Sequence, residues 1–207
     1  RKRLLEYDDV MNSQRSVIYA KRKNALFGER LDVDLNNTIF DVVEDICSEY
    51  KEQGNFEGFE MEIIRIFLVD PEMTEKQFAE TNIHNLTDRI FEKVESFYHR
   101  KLEAIAQQTF PVLRDVLKER GDQIENIVVP FSDGVRSVQV AANLKKAVDS
   151  KGHDVFKAFE KTVVLALIDD AWKEHLREMD ELKQSVQNAV YEQKDPLIVY
   201  KMEAFNM

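Results

Sequence analysis

The stretch VVLALIDDAWKEHLREMDELKQSVQNAV, Val163 to Val190, decides the fold. It lies in a pattern that runs from about Val155 to Val190. There Leu165, Ile168, Trp172, His175, Met179, Leu182, Val186 and Ala189 follow one another at alternating steps of three and four residues. That alternation is a heptad-like seam, an apolar line that one helix offers to another. The spacing predicts a long helix forming one side of an antiparallel helical hairpin. His175 is the polar exception on the line, between Trp172 and Met179. Past the seam, Asp195 can cap a new helix whose first position is Pro196, where the missing N–H costs nothing. Tyr191 is then expected in a short loop between two helices.

Upstream, no glycine or proline interrupts Arg1 to Phe27. Leu4, Met11, Ile18 and Ala25 recur every seven residues, with Tyr7, Val10 and Val17 beside them. This is a thin apolar stripe on a very polar helix, which reads as a strut touched by several neighbours. Gly28 allows a break. A second helix is predicted from near Asp34 through Leu35, Ile39, Val42, Ile46 and Tyr50 to a stop at Gly54.

The middle of the chain is less regular. EMEIIRIFLV, Glu60 to Val69, reads as an apolar helix ended by Asp70-Pro71, and Thr74 with Gln77 has the spacing of a capping box. A long helix is expected from about Leu86 to Glu119, with Ile90, Val94, Phe97 or Tyr98, Leu102 and Ile105 inward and a kink at Pro111. IENIVVPFSDGVRSVQVAA, Ile124 to Ala142, is the clear β signal: two β-branched runs joined by the turn pair Asp133-Gly134. Two strands alone are marginal, so the hairpin must lean on helices. The fold class is therefore mainly α, with one β-hairpin.

Composition narrows the function classes. The 207 residues allow one large or two small domains, and 43% are hydrophobic. A formal charge of −10 argues against nucleic acid as a partner, since phosphates need a positive field. The single cysteine, Cys47, permits no intrachain disulfide and suits a reducing cytosol. No apolar run is long enough to span a bilayer, and no signal peptide is seen. A start without methionine and an end inside a helical pattern suggest a piece of a longer protein.

Catalytic signals are few. GNFEG, Gly54 to Gly58, lacks the lysine of a phosphate loop. Cys47 reads as a buried structural thiol, because no basic neighbour would lower its pKa. His175 and Glu178 stand three apart, with Asp169, Asp170 and Glu174 close by, so a metal-dependent helical-bundle enzyme is one reading. A core histidine bonded to a carboxylate or backbone group is the favoured one. A third reading is an acidic helical adaptor that binds a partner helix.

Two segments tip the balance. RKRLLEYDDVMNSQR, Arg1 to Arg15, and DDAWKEHLREMDELKQSV with YEQKDPLIVYKMEAFNM, Asp169 to Val186 and Tyr191 to Met207, closely resemble the SecA family. That family comprises ATP-driven motors of bacterial preprotein translocation. The resemblance implies a helical scaffold domain at residues 1–50, a helical wing at 51–150, and the scaffold's two-helix finger at 151–207. It places Tyr191 at the fingertip that contacts the translocating polypeptide, in a loop of Val190, Glu192, Gln193, Lys194, Asp195 and Pro196. Val190 stands where family members often carry glycine. Leu4, Leu5, Tyr7 and Met11 fall on the start of the scaffold helix, and Trp172, His175, Leu176 and Met179 on the first finger helix, as packing residues. No catalytic residue, metal or cofactor is implied within the chain, since ATP and Mg would belong to motor domains outside it. The implied partners are unfolded preprotein, the Sec channel and those motor domains, at the cytoplasmic face of the inner membrane, peripherally.

Overall fold

The structure is a computed structural model and describes residues 2–27, 30–121, 123–132, 134–186 and 195–207. These form two compact units, Arg30–Ala158 on the one hand and Arg1–Glu29 with Phe159–Met207 on the other. The fold is mainly helical with one antiparallel β-hairpin, as the periodicities predict.

The unit Arg30–Ala158 starts with α2 (Leu31–Gln53), which follows α1 (Lys2–Phe27) of the other unit. Gly54 ends α2 in the left-handed region, at φ 64°. Its N–H reaches Lys51 O and the next N–H, of Asn55, reaches Tyr50 O, which satisfies two carbonyls the helix leaves open. Asn55 serves a second purpose: its side chain accepts from Gly58 N at 2.9 Å and starts α3 (Phe56–Phe67). One glycine and one asparagine thus turn the chain within two residues.

The sequence places the end of α3 at Asp70-Pro71, but the helix stops earlier. Leu68 takes φ 57° and donates to Ile64 O. The early reversal lets Val69 and Pro71 be buried. It also brings carbonyls within reach of cations on the next long helix: Lys93 Nζ donates to Pro71 O at 3.0 Å and Arg89 Nη2 to Glu72 O at 3.0 Å. Tertiary contacts here override a helical pattern that would locally have run on.

The Thr74 capping box is formed, with Thr74 N donating to Gln77 Oε1 and Gln77 N to Thr74 Oγ1, and it opens α4 (Glu75–Glu80). Lys51 reaches across from α2 to the Phe78 and Ala79 carbonyls at the end of that short helix. Asn82 caps α5 (Ile83–Arg120), which continues through Pro111. Val43, Ile46, Phe59, Ile63, Phe78, Leu86, Ile90 and Val94 form the core between α2, α3, α4 and α5. Phe59 is at its centre, wholly buried, with the Phe78 ring 4.8 Å away.

Cys47 is in the same core. Burial pushes its thiol up to about 11. The adjacent Thr87 hydroxyl opposes that rise, but it makes no hydrogen bond that meets ordinary geometry, and burial is the larger effect.

β1 (Asn126–Ser132) and β2 (Ser137–Asn143) pair antiparallel, with Ser132 opposite Ser137. The described ladder ends at this pair. Gly134 beyond it has φ 90°, and Ser132 Oγ accepts from Gly134 N. Asp133 lies outside the described residues. The hairpin's inner face packs with Leu113 of α5, with Leu144 and Ala147 of α6 (Leu144–Asp149), and with Val155 at the start of α7 (His153–Ser185). This is the helical support that two strands require.

Phe59→Ala should cost about 3–5 kcal/mol of stability in urea unfolding, whereas Met61→Ala, on a side chain 65% exposed, should stay within about 0.5 kcal/mol. The Cys47 thiol should resist an aromatic disulfide reagent at neutral pH in the folded chain and react at once in denaturant, because the protonated, buried form is not a nucleophile. Rapid labelling of folded protein would contradict that assignment.

Candidate functional site

The second unit combines α1, the part of α7 from Phe159 onward, and α8 (Pro196–Asn206). Asp195 caps α8, its carboxylate accepting from Leu197 N at 2.9 Å, and Pro196 occupies the first helical turn. Both residues behave as their order in the sequence requires.

Contacts along α1 climb in one direction while those on α7 descend. Lys183 sits over the Tyr7 ring, Gln14 meets His175, and Arg22 meets Asp169. The two helices are thus antiparallel. On α8 the order runs with α1: Tyr7 packs on Tyr200 with ring centroids 4.7 Å apart, and Gln14 meets Ala204. The seam of α7 therefore faces two helices, not only its hairpin partner.

At one end of this bundle Met179, Val186, Tyr200 and Ala204 are buried, with Tyr7, Val10, Met11 and Leu182 packed against them. Burial, aided by the nearby Asp180 and Asp8 charges, raises the Tyr200 phenol and keeps it protonated. Lys201 Nζ donates to Glu6 Oε2 at the rim.

Midway, one amide joins all three helices. Gln14 Nε2 donates to Ala204 O at 2.9 Å, while Gln14 Oε1 faces His175 Nε2 at 3.0 Å. A backbone carbonyl only accepts, which orients the amide; the amide oxygen also only accepts, so His175 carries its proton on Nε2. The Trp172 ring stacks on the imidazole, 5.4 Å between centroids and 25° between planes. The sequence points to a carboxylate or backbone partner for His175, and the partner is instead a side-chain amide.

Farther along, Arg22 grips Asp169 with two hydrogen bonds, Nε to Oδ1 at 2.8 Å and Nη2 to Oδ2 at 3.2 Å. Each group holds the other in its charged form, Asp169 below its ordinary value and Arg22 above. Two more carboxylates near His175 also meet cations: Asp170 pairs with Lys173 and Glu174 with Arg177. Among the described residues no group of three or more His, Cys, Asp or Glu is placed to hold a metal ion.

A groove of about 770 Å³ follows the α1–α7 seam, lined by Val17, Ile18, Ile168, Trp172, His175 and Met207 among others. Its walls are largely apolar, and Val17 is more than half exposed beside it. Of the residues singled out from the sequence, Tyr7, Met11, Trp172, His175, Leu176 and Met179 are all buried or half-buried. The side chains of Leu4 and Leu5, and the loop residues Val190, Tyr191, Glu192, Gln193 and Lys194, lie outside the described residues. Gln14, Arg22 and Tyr200 were not anticipated as packing residues. The available signal for Gln14 is its position, three residues after Met11 and four before Ile18, which puts a polar group on the apolar stripe.

The family described as SecA Wing and Scaffold domain matches residues 1–207. The chain belongs to the SecA wing and scaffold family. Proteins named protein translocase subunit SecA are similar to it over all 207 residues: 50% identical in Christiangramia forsetii, 47% in Flavobacterium psychrophilum and 44% in Porphyromonas gingivalis. The SecA wing and scaffold chain spans 18–19% of the length of these relatives. No solved structure matches it significantly. Among its described residues no helix is long and apolar enough to cross a membrane.

Removing the bridging amide tests the arrangement. Gln14→Ala should cost about 1–3 kcal/mol, because it leaves a part-buried carbonyl and imidazole without their partner. In a double-mutant cycle it should be non-additive with His175→Ala by about 0.5–1.5 kcal/mol, and strict additivity would remove the bridge from the account.

Proposed function

We propose that this chain is the mechanical part of a preprotein translocase, a scaffold and finger with an attached wing, and that it carries movement from ATP-driven motor domains to the polypeptide being exported. The observation that best supports the reading is the Gln14 bridge. One side chain on α1 holds both α7 and α8, so a displacement of α1 is passed to the pair of helices that flank residues 187–194. The antiparallel α1–α7 seam and the Arg22–Asp169 pair resist sliding of one helix along the other.

In this reading the wing corresponds to Arg30–Ala158, which takes in α2, and the scaffold and finger to Arg1–Glu29 with Phe159–Met207. ATP and Mg belong to motor domains elsewhere in the parent protein, which docks peripherally at the cytoplasmic face of the membrane. Tyr191, with Val190, Glu192, Gln193 and Lys194, is the tip that meets unfolded preprotein at the mouth of the Sec channel. An aromatic ring with a polar end suits a contact that must hold many different side chains in turn. The apolar groove beside Trp172 is a seat for other domains of the same parent chain.

The test uses the intact parent protein with a stalled secretory substrate. A photo-crosslinker in place of Tyr191 should label the substrate, and one at Glu178, an exposed position within α7, should not. Labelling at neither position would leave a scaffold without substrate contact and would sink the fingertip assignment.

A further inference from the structure

The wing's hairpin is unlike the rest of the chain. β1 and β2 contain no Asp, Glu, Lys or Arg in a protein of which 33% is charged. Among the described residues no third strand pairs with either edge.

Which backbone groups point out of the hairpin follows from the register. In an antiparallel ladder, opposite residues alternate between pairs that exchange both hydrogen bonds and pairs whose N–H and C=O groups face away. Leu144 N donates to Glu125 O at 2.9 Å, one step beyond the Asn126–Asn143 pair. Counting from there, Ile127–Ala142, Val129–Val140 and Phe131–Val138 are the bonded pairs. Val128–Ala141, Pro130–Gln139 and Ser132–Ser137 face away. Pro130 confirms the count independently, because a residue without an N–H can sit only at an outward-facing position.

The free edge of β2 therefore offers the N–H and C=O of Ser137, Gln139 and Ala141. Their side chains are exposed, and none of these groups has another backbone partner among the described residues. The two edges differ. At the centre of the β1 edge Pro130 removes a donor, which is one way proteins close an edge. β2 has neither a proline nor a charge to close it.

We propose that the open edge of β2 is a strand-addition site for an extended, uncharged segment of a partner polypeptide. Donors and acceptors at alternate residues are matched in spacing only by another extended chain. The edge side chains, a serine, a glutamine and an alanine, give a charged partner no counter-ion, and a charge brought against them would be desolvated without compensation. An unfolded preprotein contains such segments, but the site goes beyond the fingertip reading and stands apart from it.

The experiment takes the whole 207-residue chain and a fluorescein-labelled peptide alternating threonine and valine. Anisotropy should rise saturably, and the Gln139 and Ala141 amides should exchange roughly ten-fold more slowly when the peptide is bound, as new hydrogen bonds of ordinary net strength require. The same peptide N-methylated at alternate residues should bind at least roughly ten-fold more weakly for the same reason. Gln139→Pro, which deletes an outward donor and leaves the ladder intact, should weaken the plain peptide likewise. The methylated probe needs no altered protein, so a variant that misfolds does not rescue the proposal. Equal binding of plain and methylated peptides, protection elsewhere, or no binding would overturn it. Edge protection that grows with chain concentration in the absence of peptide would also overturn it, assigning the edge to a second copy. Because export is not measured, none of these results bears on Tyr191.

Discussion

The side-chain amide of Gln14 is the point at which α1, α7 and α8 meet, and the order of that unit depends on it. α1 is too polar to bury much on any one side, so hydrophobic packing alone would let it slide or rotate. A directional group in the seam removes that freedom, because its donor and acceptor each fit one partner at one register. Polar residues at apolar seam positions are known to specify register at some expense of stability. Here two such residues, Gln14 and His175, stand in facing seams and satisfy each other. Arg22 with Asp169 on one side, and Tyr7 with Tyr200 on the other, keep the three helices aligned over several turns.

The unit Arg30–Ala158 reaches order by a different route. Its apolar core is continuous from α2 to α5, and its turns are closed by side chains that reach backbone groups. Lys51 covers the open carbonyls of α4, and Arg89 and Lys93 hold the loop after α3. Those contacts explain why Leu68 and Glu72 both accept positive φ, a conformation that non-glycine residues adopt only when the surroundings enforce it. The hairpin is attached through one face, and no third strand pairs with it among the described residues. The groove on one unit exposes mainly side chains, and the strand edge on the other exposes backbone groups.

Most of the secondary structure was legible because its signals are local. The three-and-four spacing on α7 identified the buried line from Ile168 through Met179 to Val186, and all of these residues are turned inward. Gly54, the Thr74–Gln77 box and the Asp195-Pro196 pair each act through hydrogen bonds within a few residues of themselves, so their order in the chain is enough. Where the reading failed, the cause was at a distance. α3 stops at Leu68 because Val69 and Pro71 gain burial and α5 supplies cations to the Pro71 and Glu72 carbonyls, neither of which can be seen in EMEIIRIFLV. The Asp133-Gly134 turn itself lies partly outside the described residues, and the described ladder closes with Ser132 opposite Ser137.

The sequence by itself determined the helical class, the caps, the seams and the family, since each rests on residue type and spacing. Only the tertiary structure decided which seam met which: that α7 faces α1 as well as α8, that Gln14 rather than a carboxylate holds His175, and that the β2 edge is the open one. The physical reason is that a periodic pattern says a face will be buried without naming what buries it. A hydrogen bond between residues 161 positions apart, such as His175 to Gln14, exists only once the chain has brought them together.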